Sequence, residues 1–192
     1  YDDWGHGTHV AGICSGSGAN SNGKYRGIAP ESNIVMIKAL DFEGKGTASD
    51  VLTGIQWIAD NCKKYNIRIL NMSIGAGITN TKDPLVRAAE ILWDMGIVVV
   101  AAAGNNGPQK GTISSPGISK KIITVGSADD INVPENDIGK SYSGRGPTKE
   151  CVIKPDVVAP GTNIISCLCE DNKSNNYYKS LSGTSMSTPI VS

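Results

Sequence analysis

The sequence has no excess of charge and no long apolar run, and its first residues show no signal-peptide pattern; the first two absences argue against particular classes of protein. Its 18 basic and 18 acidic residues cancel, so there is no basic field for nucleic acid and no acidic tail. The apolar run at 97–103 is far shorter than the ~20 residues that span a bilayer. Residues 1–4 lack the basic and apolar regions of a signal peptide. We therefore expect neither a nucleic-acid nor a membrane partner.

A regular cysteine pattern is also missing. The five cysteines are unevenly spaced, which argues against a disulfide framework, and Cys167-x-Cys169 lacks the C-x-x-C spacing of a zinc site. Free thiols are typical of a reducing compartment. The sequence therefore favours a cytoplasmic location, with secretion as the alternative.

Short apolar runs alternate with helical patterns. Strands are predicted at 34–40, 67–72, 97–102 and 122–126, with shorter ones at 157–158 and 164–165. Helices are predicted at 47–65, with Thr47 and Asp50 forming a capping box, and from Asp83-Pro84 to a stop at Gly96. This order predicts a three-layer α/β fold, a doubly wound, mostly parallel sheet with helices on both faces. The length, without a linker or repeat, predicts one domain over 1–192.

A serine, a histidine and an asparagine stand where such a sheet would hold a site. Ser185 follows Gly183-Thr184 and is predicted in the first turn of a helix, where free N–H groups and the helix dipole lie. His6, between two glycines, has the pKa of a general base. Asn105 leaves a buried strand with a side-chain amide to donate. These are the nucleophile, base and oxyanion donor of acyl transfer.

Each of these residues also has a structural interpretation. Gly-Thr-Ser triplets often only cap a helix, and an asparagine in Gly-Asn-Asn-Gly is often a turn former. His9, one helical turn after His6, would suggest a metal only with a third ligand, and none has suitable spacing. We therefore interpret His9 as a structural partner, packed or hydrogen-bonded, and predict no metal.

Together these segments give the chain a family resemblance: it resembles the subtilisin-like serine proteases, the subtilase family. The matching segments occur in the family's order and cover nearly the whole chain. They are residues 5–12, 27–30, 71–75, 101–105, 141–147, 154–161 and 182–189.

The resemblance implies a role for each matching position. Ser185 would be the nucleophile, His6 the base, and Asn105 an oxyanion donor together with the Ser185 N–H. An extended peptide or protein substrate would pair with two edges, and its P1 side chain, which is expected to be uncharged, would enter a pocket. One edge consists of Ser73, Ile74 and Gly75, and the other consists of Gly44, Lys45 and Gly46. The pocket would lie between the first edge and the segment Ala102, Ala103, Gly104, with Ser114 near its floor. The family often has a cis proline at the position of Pro116.

The sequence departs from the family at the third catalytic residue. The family's aspartate lies on a strand roughly thirty residues before the histidine, whereas Asp2 and Asp3 are too close to His6 to occupy that strand. We assign no catalytic aspartate. The expectation is a catalytic domain truncated at both ends, inactive or nearly so alone, whose exposed sheet edges a second copy or a partner chain would cover.

The loop where the family often binds calcium is the second place at which the sequence departs from the family. Secreted subtilisins often bind it in a loop after the histidine motif, but residues 15–26 contain no carboxylate, so no cofactor is predicted. The rival to the enzyme is a catalytically silent peptide-binding or structural domain of the same fold. A nucleotide-binding α/β domain has almost no motif support.

Overall fold

The computed structural model describes residues 1–77, 80–129, 141–169 and 177–192. Four α-helices and one short 3₁₀ turn occur in these residues. The helices are α1 (His6–Ser15), α2 (Ala48–Tyr65), α3 (Pro84–Asp94) and α4 (Thr184–Val191), and the 3₁₀ turn is Ala19–Ser21.

The starts of α2 and α3 follow from the local sequence. The Thr47 side chain accepts from the Asp50 N–H and the Asp50 carboxylate accepts from the Thr47 N–H, so the predicted capping box is confirmed. Asp83 Oδ1 accepts from the Leu85 N–H at 2.9 Å, with Pro84 in the first turn. Helix α3 ends just before Gly96, whose φ of 90° suits glycine.

A parallel four-stranded sheet forms the centre of the fold. Its strands are β1 (Ile69–Met72), β2 (Val98–Ala102), β3 (Ile123–Ser127) and β4 (Val157–Ala159). They lie in the order β1-β2-β3-β4, and all three pairings are parallel. The predicted strand positions are confirmed here to within two residues at each end.

Helices pack on both faces of this sheet. Val99 and Ala101 of β2 pack in the cluster that α2 and α3 complete, while Val100 belongs to a cluster that includes Ile190 of α4. Because successive side chains of a strand point to opposite faces, β2 is buried on both sides. The predicted three-layer α/β architecture is confirmed.

A second, two-stranded sheet lies beside the site. Strands β5 (Ile164–Cys167) and β6 (Tyr178–Leu181) pair antiparallel, and β5 packs on α1. Strand β5 contains the short strand that was predicted at 164–165, and β6 was not predicted. None of the helices in the described residues is long and apolar enough to cross a membrane.

The strand predicted at 34–40 is wrong. The structure contains no strand there, and the side chains of Ile34, Val35 and Met36 are 41%, 42% and 58% exposed. A strand needs a hydrogen-bonded neighbour as well as β-forming residues, and this segment pairs with none of the described strands. Strand β1, paired only with β2, is an edge of the sheet.

Candidate active site

Asp2 fixes the start of the helix that carries His6. Its Oδ1 accepts from the N–H groups of Gly5 and Trp4, and its Oδ2 accepts from the N–H and the hydroxyl of Thr8, both at 2.7 Å. Partial burial alone would raise the pKa of Asp2, but these hydrogen bonds lower it below its usual value. Both carboxylate oxygens are thus committed to capping α1.

His6 is the first residue of α1 and is half-buried. Neither of its ring nitrogens hydrogen-bonds to any residue in the described part of the chain. Burial lowers the pKa of His6, the nearby His9 lowers it further, and the charge of Asp2 opposes both. The imidazole is therefore neutral at neutral pH and free to accept a proton.

His9 holds α1 against the second sheet. Its Nε2 lies 3.1 Å from the Ile164 carbonyl oxygen and 3.0 Å from that of Lys179, so Nε2 carries the proton and donates to them. The ring is buried, and burial lowers the pKa of His9 although these two contacts oppose it. No group of three metal-ligating side chains is present in the four described ranges. His9 is a structural residue, as interpreted from the sequence.

Ser185 lies in the first turn of α4, as predicted. It is held by a reciprocal pair of bonds to the residue that follows β1. The Ser185 hydroxyl donates to the Ser73 carbonyl at 3.2 Å, and the Ser73 hydroxyl donates to the Ser185 carbonyl at 2.8 Å. In this arrangement the Ser185 hydroxyl points to backbone rather than to His6.

Asn105, three residues past β2, is oriented by Thr184. Its Oδ1 accepts from both the N–H and the hydroxyl of Thr184, each at 3.0 Å, and the Thr184 oxygen accepts from the Gly104 N–H at 3.1 Å. Since Oδ1 is committed, the donor Nδ2 is left for another partner. It lies near Gly183, where an added Cβ would be 3.2 Å from Nδ2.

One cavity of about 390 Å³ is lined by His6, Asn105 and Ser185. Residues from β5, β6 and the turn before His6 complete its wall, among them Trp4, Cys167, Leu168, Lys179 and Leu181. The structure thus brings the three candidate catalytic side chains into a single space. A larger cavity of about 710 Å³ lies between residues 38–47 and α2 and is lined by none of the three.

The segments that were predicted to form the P1 pocket lie close together. Ser114 N–H donates to the Ala103 carbonyl at 2.9 Å, and a Cβ on Gly104 would come within 2.1 Å of Ser114 Oγ. A Cβ on Gly75 would be 3.3 Å from Ser114 Cβ. Ser114 therefore lies between the segments that follow β1 and β2, and Asn106 Nδ2 donates to its hydroxyl at 3.0 Å. The Ser115–Pro116 bond is cis, as expected.

The other candidate substrate edge stands apart from the 390 Å³ cavity. Gly44, Lys45 and Gly46 form a tight loop in which the Asp41 N–H donates to the Lys45 carbonyl at 2.7 Å. Lys45 and Gly46 line the larger cavity instead. Gly44 lies against the ring of Trp4, which lines the 390 Å³ cavity.

Thr184 and Trp4 are among the residues of the site that the sequence did not predict. Thr184 orients Asn105, and its place inside Gly183-Thr184-Ser185 was the available signal. Trp4 lines the cavity. Its position two residues before the candidate base His6 was the signal in the sequence.

Comparison with known proteins gives a consistent picture. The family model described as the subtilase family matches residues 1–192. Serine protease AprX of Bacillus subtilis (strain 168) is 46% identical over 212 residues, covering 99% of the chain and 47% of that protein. A thermophilic serine proteinase of Bacillus sp. (strain AK1) is 38% identical, covering 97% of the chain and 40% of that protein.

The fold of the chain also matches solved structures. The chain superposes on sphericase with a TM-score of 0.79 at 32% identity, covering 99% of the chain and 61% of that structure. A cold-adapted subtilisin-like serine proteinase gives 0.74 at 35% identity, with 99% and 59% covered. The chain spans about half the length of the curated relatives that it matches.

Proposed function

The chain belongs to the subtilase family, and from this premise we propose that it forms the larger part of the catalytic domain of a serine endopeptidase. The observation that carries the proposal is the meeting of His6, Asn105 and Ser185 in one cavity at the carboxyl ends of β1 and β2. In parallel sheets this edge is where ligands bind.

The proposed reaction is acyl transfer in two stages. Ser185 Oγ attacks the scissile carbonyl carbon while His6 takes its proton, and the carbonyl oxygen becomes an oxyanion. The Ser185 N–H and Asn105 Nδ2 donate to that oxyanion. His6 then returns the proton to the leaving amine as the C–N bond breaks. In the second stage His6 takes a proton from water, whose oxygen attacks the acyl carbon; the bond to Ser185 Oγ breaks, and His6 returns the proton to Ser185 Oγ.

In the resting geometry one hydrogen bond holds the hydroxyl of the nucleophile. The Ser185 hydroxyl donates to the Ser73 carbonyl, so this hydrogen bond must break before the hydroxyl can donate its proton to His6. An extended substrate that pairs with Ser73–Gly75 would compete for this carbonyl. We propose that the P1 side chain enters beside Ser114, whose uncharged surroundings favour an uncharged residue.

The acid that orients His6 is proposed to come from a part of the protein outside these 192 residues. Asp2 is unsuitable because both its oxygens already cap α1. Removing only the aspartate of such a triad costs ~10⁴-fold in rate. That factor was measured in serine proteases and is borrowed here. The 192-residue chain by itself is therefore proposed to be nearly inactive.

Fluorophosphonate labelling of the full-length protein tests the proposal, since the probe forms a covalent bond only with an activated serine. We expect labelling that Ser185→Ala abolishes. Ser187→Ala is a matched control, because Ser187 is buried in the same helix and does not line the cavity, and it should still be labelled. Absence of label on the wild type would favour the silent peptide-binding domain, and equal labelling of Ser185→Ala would count against Ser185 as the nucleophile.

A further inference from the structure

Helix α4 contains a proline four residues after the candidate nucleophile. In an α-helix the carbonyl of each residue accepts from the N–H group four positions later. For Ser185 that position is Pro189, which lies inside α4 and has no N–H group. The Ser185 carbonyl therefore lacks the donor that a regular α-helix would supply.

The Ser73 hydroxyl takes the place of this missing donor. From the segment that follows β1, it donates to the Ser185 carbonyl at 2.8 Å. Ser73 is buried, and so are Thr184 and Met186 on either side of Ser185, so the contact is shielded from water. A carbonyl that is left without a donor in such a place costs free energy, and the Ser73 hydroxyl removes that cost.

The neighbouring Asn71 of β1 fixes the direction of the Ser73 hydroxyl. Asn71 Nδ2 donates to Ser73 Oγ at 3.0 Å, and an amide NH2 group cannot accept in return. Asn71 Oδ1 accepts from the Ser192 hydroxyl at 3.0 Å, which agrees with this orientation of the amide. The hydrogen of the Ser73 hydroxyl is therefore left for the Ser185 carbonyl.

The carbonyl that Ser73 holds belongs to the residue that is proposed to react. The Ser185 Cα joins this carbonyl to the proposed oxyanion donor N–H and to the side chain that carries the nucleophile. A proline ring inside a helix also crowds the carbonyl four residues earlier, so the backbone of Ser185 could tilt without the contact. A displacement of about 1 Å at a reacting group can cost ~10²-fold in rate.

We propose that Ser73 is a positioning residue, whose hydroxyl replaces the N–H group that Pro189 lacks and holds the backbone of Ser185 in the geometry for attack. Ser73 has this role within the proposed protease function, on which the inference rests. The role differs from that of a substrate edge, because an edge pairs through its backbone and positioning depends on the side chain.

The experiment is a double-mutant cycle on the full-length protein, measured with a peptide 4-nitroanilide. Ser73→Ala removes the hydroxyl and keeps the backbone, so kcat should fall about tenfold, which corresponds to ~1.4 kcal/mol, while KM changes little. Pro189→Ala introduces an N–H group four residues after Ser185. In that background Ser73→Ala should lower kcat by no more than about twofold, because the helix now supplies the donor and the two substitutions are coupled.

Two further variants keep the cycle decisive. Asn105→Asp is the matched control: its expected loss comes from the oxyanion donor, so the loss should be equally large with and without Pro189→Ala. Asn71→Asp keeps the Ser73 hydroxyl but offers it a carboxylate acceptor. It should lower kcat in the same direction as Ser73→Ala, and Pro189→Ala should relieve that loss too, so the role of Ser73 can be judged even if Ser73→Ala does not fold.

The outcomes separate the two proposals. A wild type that is not labelled by fluorophosphonate overturns the protease function itself. A labelled wild type in which the losses from Ser73→Ala and Asn71→Asp are the same with and without Pro189→Ala overturns the role of Ser73 alone. Variants that melt at a lower temperature but retain kcat would also overturn it, because the hydroxyl would then stabilise the fold without positioning Ser185.

Discussion

The exchange Asn105→Asp separates the two tasks that this side chain has under the proposed mechanism. Asn105 Oδ1 accepts two hydrogen bonds from Thr184, and a carboxylate oxygen can accept the same two. The second oxygen, however, would replace the donor Nδ2 with an acceptor facing the developing oxyanion. The variant should therefore keep the local structure and lose the stabilisation of the transition state.

The expected loss follows from the bonds involved. Removing one oxyanion donor costs about 10²–10³ in kcat, or roughly 3–4 kcal/mol, a value measured for an asparagine of subtilisin, a relative of this chain, and borrowed here. KM should change little, because the donor acts mainly in the transition state. Asn105→Ala should cost further stability, about 1 kcal/mol for each Thr184 bond that is left unmade.

The assay is steady-state cleavage of a peptide 4-nitroanilide by the full-length protein, with melting temperatures measured in parallel. Asn22→Asp adds the same charge in an exposed loop and should behave as wild type. Should Asn105→Asp melt like the wild type and retain kcat to within threefold, Asn105 would have no role as an oxyanion donor. A matching loss in Asn22→Asp would instead attribute the effect to net charge.

Three further predictions concern the stability of the full-length protein. Leu92 is fully buried, so Leu92→Ala should lower the free energy of unfolding by about 2–5 kcal/mol. Ile91 is 58% exposed on the same helix, so Ile91→Ala should change it by no more than ~0.5 kcal/mol. Urea titration measures both, and equal losses would contradict the observed packing. Lys154→Met removes a buried ammonium that donates to the Ile122 carbonyl at 2.8 Å, and this should lower the free energy of unfolding by about 1–3 kcal/mol. An unchanged denaturation midpoint would count against that contact. Because burial lowers the pKa of His9, the unfolded state binds a proton at His9 more readily, and the free energy of unfolding should fall as pH drops from 7.5 through ~6.5 to 5.5. His9→Gln should flatten this dependence on pH. An equally steep dependence in the variant would show that His9 is not its source.

Much of the fold was predictable because its signals are local. The Thr47 and Asp83 caps depend on residues two or three positions away, and the structure has both caps. The apolar run that forms β2 is buried from both sides, so its sequence alone indicates a central strand. The site segments lie just past strand ends, and parallel topology brings such ends to one edge of the sheet.

The failures involve partners distant in the sequence. Residues 34–40 have the composition of a strand, but pairing depends on a neighbouring backbone that composition does not reveal. Strand β6 reads YKSL, with little apolar character, and is a strand because it pairs with β5. The orientation of Asn105 by Thr184 likewise joins residues 79 positions apart.

The first turn of α4 fastens two neighbouring strand ends to one helix. Thr184 bonds to the segment after β2, and Ser185 bonds to the segment after β1. An engineer who seeks a more heat-resistant variant should therefore leave this turn alone. If the proposed function holds, substitutions of Thr184 or Ser185 should change turnover and melting temperature together, whereas changes on the outer face of α3 should leave turnover unaffected.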